Sequence, residues 1–384
     1  MLQAIPEAIA QRAGYAKINN PHELAGPMRS MSIIDMGRQW LTALGATDAA
    51  FIPRSRMAEI LLTQRELRKD FPRVAMLAES VGDFPNLLLD AMNKTLRPLY
   101  QDAPKTWPIW CRKAIAPDFK NINRAAMSEA PSLVKRDAGG QINYVTLTDG
   151  KETYVLAEFV GGISLSRRAM VNDDLDAFGK IPQLQSNACW RAEEEAVYGI
   201  LTANAAMGVD GVALFHSDHD NIVTGTANLG APTVTTMAAA ETLLITQKGP
   251  AGKARLGLRP KFVIGPAAIK VQTEQFLNST NLIAVISTAS AAPQTVGQSN
   301  PYGGKLTHVW TPVLDDTSEI VWYMAADYRD SQIDTVEISF LESEEEPVFR
   351  QQTDFDSEDA KFAVRHTLQA KAIDFRGLVK NPGA

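Results

Sequence analysis

YVTLTDGKETYVL, residues 144–156, is the stretch on which the reading of this chain turns. Tyr, Val, Thr and Leu favour a pleated backbone, and two such runs flank Asp149-Gly150, a dipeptide suited to a hairpin turn. The connection is longer than the tightest turn, and Ala138-Gly139-Gly140 upstream adds flexibility. These features predict a long two-stranded projection over residues 121–157 with little apolar face of its own. An isolated hairpin is only marginally stable in water. The ribbon is therefore expected to pack on another chain, with Tyr144, Leu147, Tyr154 and Leu156 as its intersubunit contacts.

Downstream of the ribbon, a long helix is expected over residues 182–204. Leu184, Ala188, Ala192, Ala196 and Ile200 recur every four residues and give it one face of mostly small apolar groups. The run Glu193-Glu194-Glu195 reads as a solvated or intersubunit face rather than a catalytic carboxylate cluster. Residues 210–330 read as a mixed α/β unit. It contains a short strand Val212-Ala213-Leu214-Phe215, a helix over 234–247 entered through Pro232, and a buried strand Phe262-Val263-Ile264 stopped by Gly265-Pro266. A helix over 267–277 and a buried strand over 320–324 complete it. The loop 278–304, rich in Ser, Thr, Asn and Gly, is expected at a surface. Val336, Ile338 and Phe340 alternate with Thr335, Glu337 and Ser339, the pattern of a half-buried strand, and a second alternation runs from Phe362 to Ala370.

Upstream, Ile33, Met36, Gly37 and Trp40 fall at helical spacing behind a candidate cap, Ser32. Breaks follow at Pro53 and at Phe71-Pro72. A second short helix is expected over 84–92, with Asp83 as its cap and Pro85 near its start. Nothing in residues 1–75 reads as a self-sufficient core, so this part is expected to be an appendage.

The bulk numbers suit a soluble globular protein: 384 residues, 45% hydrophobic and 21% charged. A formal charge of −6 and the lack of an evident Lys/Arg stripe argue against a general nucleic-acid binder. No run approaches the roughly 20 apolar residues of a membrane span, and the first residues lack the layout of a secretory signal. Cys111 and Cys189 could pair only with each other, and reduced thiols are the simpler reading.

The most chemically loaded stretch is His216-Ser217-Asp218-His219-Asp220. Two histidines three apart could ligate a metal with a neighbouring Asp, although local hydrogen bonding in a loop is the plainer reading. A catalytic triad needs partners converging from separate elements, not chain neighbours. Gly161-Gly162 lacks the third glycine of a dinucleotide fingerprint, and 249–253 lacks the Lys-Ser/Thr ending of a phosphate loop. No coherent catalytic or cofactor site emerges. A structural role is expected, with no enzyme activity and no cofactor.

Several ordered segments resemble the major head subunit family of Mu-like phages, including forms fused behind a prohead protease. They include Asp83-Phe84-Pro85-Asn86-Leu87-Leu88, Gly150-Lys151-Glu152-Thr153-Tyr154, Asn172-Asp173-Asp174-Leu175 and Asp210-Gly211-Val212-Ala213-Leu214-Phe215-His216. Trp322-Tyr323-Met324-Ala325-Ala326-Asp327 and the closing run from Lys371 through Asp374-Phe375-Arg376-Gly377 to Gly383 extend the series; the last is the most specific. The resemblance implies an α+β chain with the Hong Kong 97-type phage capsid fold. Its parts would be a helical appendage similar to the protease–capsid connector (1–75), an N-terminal arm (76–120), an extended hairpin loop (121–160), and a peripheral domain with a spine helix (161–209). An axial α/β domain (210–333) and returning peripheral strands (334–384) would follow. The implied function is that of a major capsid protein, forming homo-pentamers and homo-hexamers in the icosahedral head of a tailed phage, assembled in the bacterial host cytoplasm. Implied partners are portal, scaffold, protease or decoration proteins and non-specifically contacted double-stranded DNA, with no membrane. An encapsulin-type nanocompartment shell is the alternative.

Overall fold

A computed structural model of the chain describes residues 4–12, 22–62, 64–81, 84–127, 149–165, 175–249, 252, 255–286, 294–331, 333–353 and 360–383. Helices lead: α1 (Ala4–Arg12), α2 (Ala25–Met28), α3 (Ile33–Ala43), α4 (Arg54–Leu62), α5 (Gln64–Asp70), α6 (Pro72–Val81) and α7 (Phe84–Gln101). Strands β1 (Arg112–Ala116), β2 (Ile122–Met127), β3 (Asp149–Tyr154) and β4 (Ala157–Leu165) precede the long helix α8 (Leu175–Ala203). Helices and strands then mix: α9 (Val234–Thr246), β5 (Pro260–Pro266), α10 (Lys270–Asn278), β6 (Asn281–Ile286), β7 (Gln294–Ser299), β8 (Thr307–Thr311) and β9 (Trp322–Ala326). Strands β10 (Val336–Leu341), β11 (Val348–Thr353), β12 (Ala360–Ala372) and β13 (Leu378–Asn381) close the chain. The class is α+β, as expected.

The chain divides into two compact units. The first comprises Met1–Pro104, Ala157–Ala192 and Ser343–Thr367. Here Ser32 caps α3, its Oγ accepting from the Asp35 N–H at 3.0 Å. The apolar stripe of α3 faces inward, and Gly37 lets α4 approach so closely that a Cβ there would collide with the Leu61 side chain. Trp40, 2% exposed, packs on Phe84 of α7 with ring centroids 5.8 Å apart. Phe349 of β11 and Phe362 and Val364 of β12 belong to the same buried cluster. Residues 4–75 thus contribute buried side chains to a cluster that they share with α7, β11 and β12. Each helix is too short to be stable alone. Its buried face emerges only when the helices between successive prolines are brought together.

The second unit comprises Lys105–Leu156, Glu193–Glu342 and Leu368–Ala384. One sheet runs in the order β13-β9-β5-β8, with β5 parallel to β8 and the other pairs antiparallel. All five residues of β9 are buried, because the sheet is covered on both faces. Tyr323 and Ala325 face a cluster with Val197, Tyr198 and Leu201 of α8, whereas Trp322 and Met324 face Met237, Ala240 and Leu244 of α9. In the same unit β1 runs parallel to β10, and β10 pairs antiparallel with the last residues of β12, from Phe340↔Leu368 to Val336↔Ala372.

Three expectations change. Asp149-Gly150 opens β3, where Met127↔Asp149 and Ala126↔Gly150 pair; it is not the turn between strands, because the partner of β3 is β2. Residues 278–304, expected as a loop, contain the antiparallel pair β6–β7. Val212–Phe215 is not a regular strand: it pairs through one isolated antiparallel bridge, Ala206↔Ala213, and beyond it Asn204, at φ 46° after α8, accepts from the Phe215 N–H at 2.7 Å and donates to its carbonyl at 3.1 Å.

Removing a large aromatic from a packed core costs about 3–5 kcal/mol. Trp40→Ala should therefore lower stability in urea by about that amount. A change under about 1 kcal/mol would mean that the N-terminal helices have no core worth the name.

Candidate functional site

Pairing of β2 with β3 aligns Ile122 with Tyr154 and Arg124 with Glu152. A strand turns alternate side chains to opposite faces. Lys151 and Thr153 accordingly point to solvent, while Glu152 and Tyr154 point inward and are almost wholly buried. Beneath them lies Glu337 in the middle of β10, 0% exposed. Alternation alone makes Glu337 and Ser339 the wet side of β10. The base of the ribbon covers that side, so both faces of the strand are dry.

A buried carboxylate is tolerable only if it is paired and hydrogen-bonded. Arg124 Nε donates to Glu337 Oε1 at 2.6 Å, the Tyr154 hydroxyl donates to the same oxygen, and Arg112 Nε lies 3.7 Å from Oε2. Tyr154 Oη is also 2.6 Å from Ser339 Oγ. Burial, reinforced by Glu337, pushes the Tyr154 hydroxyl up to about 12, so it stays a proton donor. Glu152 accepts from the Val209 N–H at 3.0 Å and lies 3.5 Å from Lys371 Nζ. Backbone from Gly208 passes so near that a Cβ would sit 3.1 Å from Glu152 Oε2. Together β2, β3, β10, β12 and the loop after α8 form a charged root under the two-stranded ribbon.

A second buried acidic pair lies at the start of α8's share of this unit. Glu193 accepts from Trp107 Nε1 at 2.8 Å and lies 3.3 Å from Lys105 Nζ. Glu194 accepts from the Thr106 N–H and Oγ1, both at 2.5 Å, and from the Trp107 N–H at 3.2 Å. Burial raises the Glu194 carboxyl above the usual range, against the pull of those Thr106 and Trp107 donors. Both residues are almost fully buried, contrary to the solvated or intersubunit face expected of this run. Their partners lie about ninety positions upstream, beyond the reach of any local pattern.

The other sequence candidates find local uses. His219 is buried and stacked on Phe375, centroids 3.7 Å apart and planes at 6°. Its Nε2 lies 2.8 Å from Asp210 Oδ2 and its Nδ1 3.1 Å from the Leu214 carbonyl, so both nitrogens are engaged by protein groups. Partial burial pushes the Asp210 carboxyl up, but the Val212 N–H and His219 outweigh it and hold the carboxyl low. His216 Nδ1 accepts from the Asp218 N–H at 3.1 Å and caps a short 3-10 turn. Among the described residues, no group of three or more His, Cys, Asp or Glu side chains is placed to hold a metal ion. Cys111 and Cys189 are both buried and neither is in a disulfide, and burial pushes the Cys111 thiol well up. Tyr144 and Leu147 lie outside the described residues. Tyr154 and Leu156 are 7% and 6% exposed within their own chain, so their burial is already supplied by this subunit and leaves a neighbour little to cover. Next in the chain, Val155, and in the other unit Phe159 and Val160, are exposed apolar groups.

Removing one partner of a buried charge pair costs about 3–5 kcal/mol, because the other charge is left uncompensated. Glu337→Ala should destabilise the subunit by roughly that much, and Glu337→Gln, which keeps an acceptor for Tyr154, by less. Equal losses would show that charge pairing is not what holds the root. For Glu194 the folded chain binds the proton more tightly than the unfolded chain, so its contribution to stability is lost as pH rises through the raised value. Melting of Glu194→Gln against wild type should therefore favour the variant increasingly from about pH 4 to pH 7; a constant or falling difference would contradict the buried carboxylate.

No curated protein sequence matches the chain. Among solved structures it is similar to a chain of Microbacterium phage Oxtober96 at 12% identity and TM-score 0.45, covering 71% of this chain and 86% of that one. It is likewise similar to the holo-SrpI encapsulin of Synechococcus elongatus PCC 7942 (11%, TM-score 0.45, 72% and 86% covered) and to Mycobacterium phage Che8 (15%, TM-score 0.40, 69% and 85% covered). These likenesses are too slight to decide between a phage head and a nanocompartment. The family match decides more: residues 150–381, well over half of the sequence, match the family described as phage capsid protein. The stretch opens in β3 of the ribbon, includes Glu152, Glu337 and Lys371 of its charged root, and ends in β13. The chain belongs to the phage capsid protein family.

Proposed function

We propose that this capsid-family chain is the major head subunit of a Mu-like tailed phage, acting as a shell builder and not as an enzyme. Copies would close into pentamers and hexamers through heterologous, head-to-tail contacts around local symmetry axes, forming an icosahedral head of the Hong Kong 97 type. The observation that carries this reading is the two-stranded ribbon itself. Its base is fixed to its own subunit through Glu337, Arg124 and Tyr154, while residues 128–148 are chain available to lie over a neighbour. The Mu-like assignment rests on the ordered segments from Asp83 to Gly383.

On this reading Tyr144 and Leu147 are the residues that a neighbouring copy buries. Each is worth roughly 1.5–3 kcal/mol when fully buried, modest for one subunit but repeated over a closed shell. The remaining partners would be a portal, with scaffold, protease or decoration proteins, and the packaged double-stranded genome. The product would reside in the virion after assembly in the host cytoplasm.

Electron microscopy of the expressed full chain should show closed particles, and those from a phage should contain DNA; particles loaded with a cargo enzyme instead would favour an encapsulin-type compartment. Deleting residues 140–148, which leaves β2 and β3 intact, should yield folded subunits that fail to form stable closed particles. Normal particles from that deletion would refute the role given to the ribbon.

A further inference from the structure

The chain carries a net charge of −6, yet one of its stretches is wholly basic. Between Lys248 and Lys261 the sequence has Lys248, Lys253, Arg255, Arg259 and Lys261 and not one carboxylate. Lys253 lies outside the described residues. The other four are all exposed, and none forms an ion pair among the described residues. Four exposed cations on one short stretch repel one another, a repulsion that water and salt weaken and that an anionic partner would relieve.

The backbone that presents them is well held. Lys248 and Arg255 face each other across an isolated antiparallel bridge, closed by Leu256 N–H to the Gln247 carbonyl at 2.9 Å. The Gln247 side chain donates to the carbonyls of His219 and Asp220 at 2.8 and 3.0 Å, and Arg376 Nε donates to the Lys248 carbonyl at 3.0 Å. From Arg255 onward exposure alternates: Arg255, Arg259 and Lys261 are out, while Leu258 and Phe262 are buried and Leu256 packs against the core. Lys261 falls where the β5–β9 register slips by a residue, a bulge that re-aims its side chain. In extended chain such alternate positions repeat every 6.6 Å or so, giving a strip and not a point charge.

We infer that this strip is a contact surface for the phosphate backbone of double-stranded DNA, without base readout. The inference deepens the reading of the chain as a genome-enclosing shell by naming where the genome touches it. A second copy of the chain offers a poorer partner. Of the four carboxylates at residues 342–346, two already have partners at home, Glu344 with Arg365 and Glu346 with Gln101 and Arg97. DNA, with one charge per roughly 1.7 Å of axis and no need for exact placement, matches an unpaired cationic strip.

The test is binding of the purified full chain to a short labelled duplex of random sequence, across about 20 to 200 mM salt. Four phosphate contacts predict a slope of about −3.6 for log affinity against log salt. Arg255→Gln with Arg259→Gln should flatten it by about 1.8, Lys261→Gln alone by about 0.9, and the charge-preserving Arg255→Lys with Arg259→Lys not at all. Arg191→Gln, on α8 in the other unit, is the control and should leave the slope unchanged. An unaltered slope in the double Gln variant, or no salt-dependent binding by the wild type, overturns the inference; if closed particles still form, the shell reading survives it. A double variant that binds DNA normally but no longer closes into particles would assign the strip to a neighbouring subunit and also overturn it.

Discussion

A carboxylate shut away from water has to be answered by a cation or a set of donors, and Glu337 is where this requirement organises the second unit. Its partners come from three strands far upstream of it in sequence: Arg112 on β1, Arg124 on β2 and Tyr154 on β3. Meeting the demands of one acidic group therefore fixes both arms of the ribbon at their base. Glu152 with Lys371 and the Val209 N–H repeats the arrangement a few ångströms along the strand. Because such pairs roughly break even against hydrophobic packing, their value lies in position: a slip of β3 by one residue would turn Glu152 and Tyr154 to solvent and leave Glu337 unanswered.

For a shell-building subunit this division is apt. A projection that must reach a neighbour gains nothing from a floppy origin, since the entropy of ordering its base would be lost at each contact. Here the base is ordered within the subunit.

Local patterns in the sequence were enough for the elements whose burial is one-sided or complete. The capped helix after Ser32, the long helix ending at Asn204, the apolar strands at 262–264 and 320–324 and the alternation after Phe362 all appear near their expected places. What stayed hidden depended on partners distant in the chain. Glu337 and Ser339 looked solvated because nothing in β10 reports the strands that roof it. Glu193 and Glu194 looked solvated because Thr106 and Trp107 are remote. Asp149-Gly150 carries a turn signature, yet pairing with β2 holds it in a strand. Overall charge misled in the same way: −6 summed over the chain conceals a basic strip confined to fourteen consecutive positions.

Amide hydrogen exchange on dispersed, unassembled subunits tests the central claim most directly, namely that the base of the ribbon is held by its own chain. The amides of Lys151–Tyr154 in β3 and of Ile122–Ala125 in β2 should exchange slowly there, close to the rate of β10 beneath them, and should change little on assembly. Exchange at the rate of unstructured chain, slowing only once particles form, would mean that neighbours and not Glu337 hold the ribbon in place.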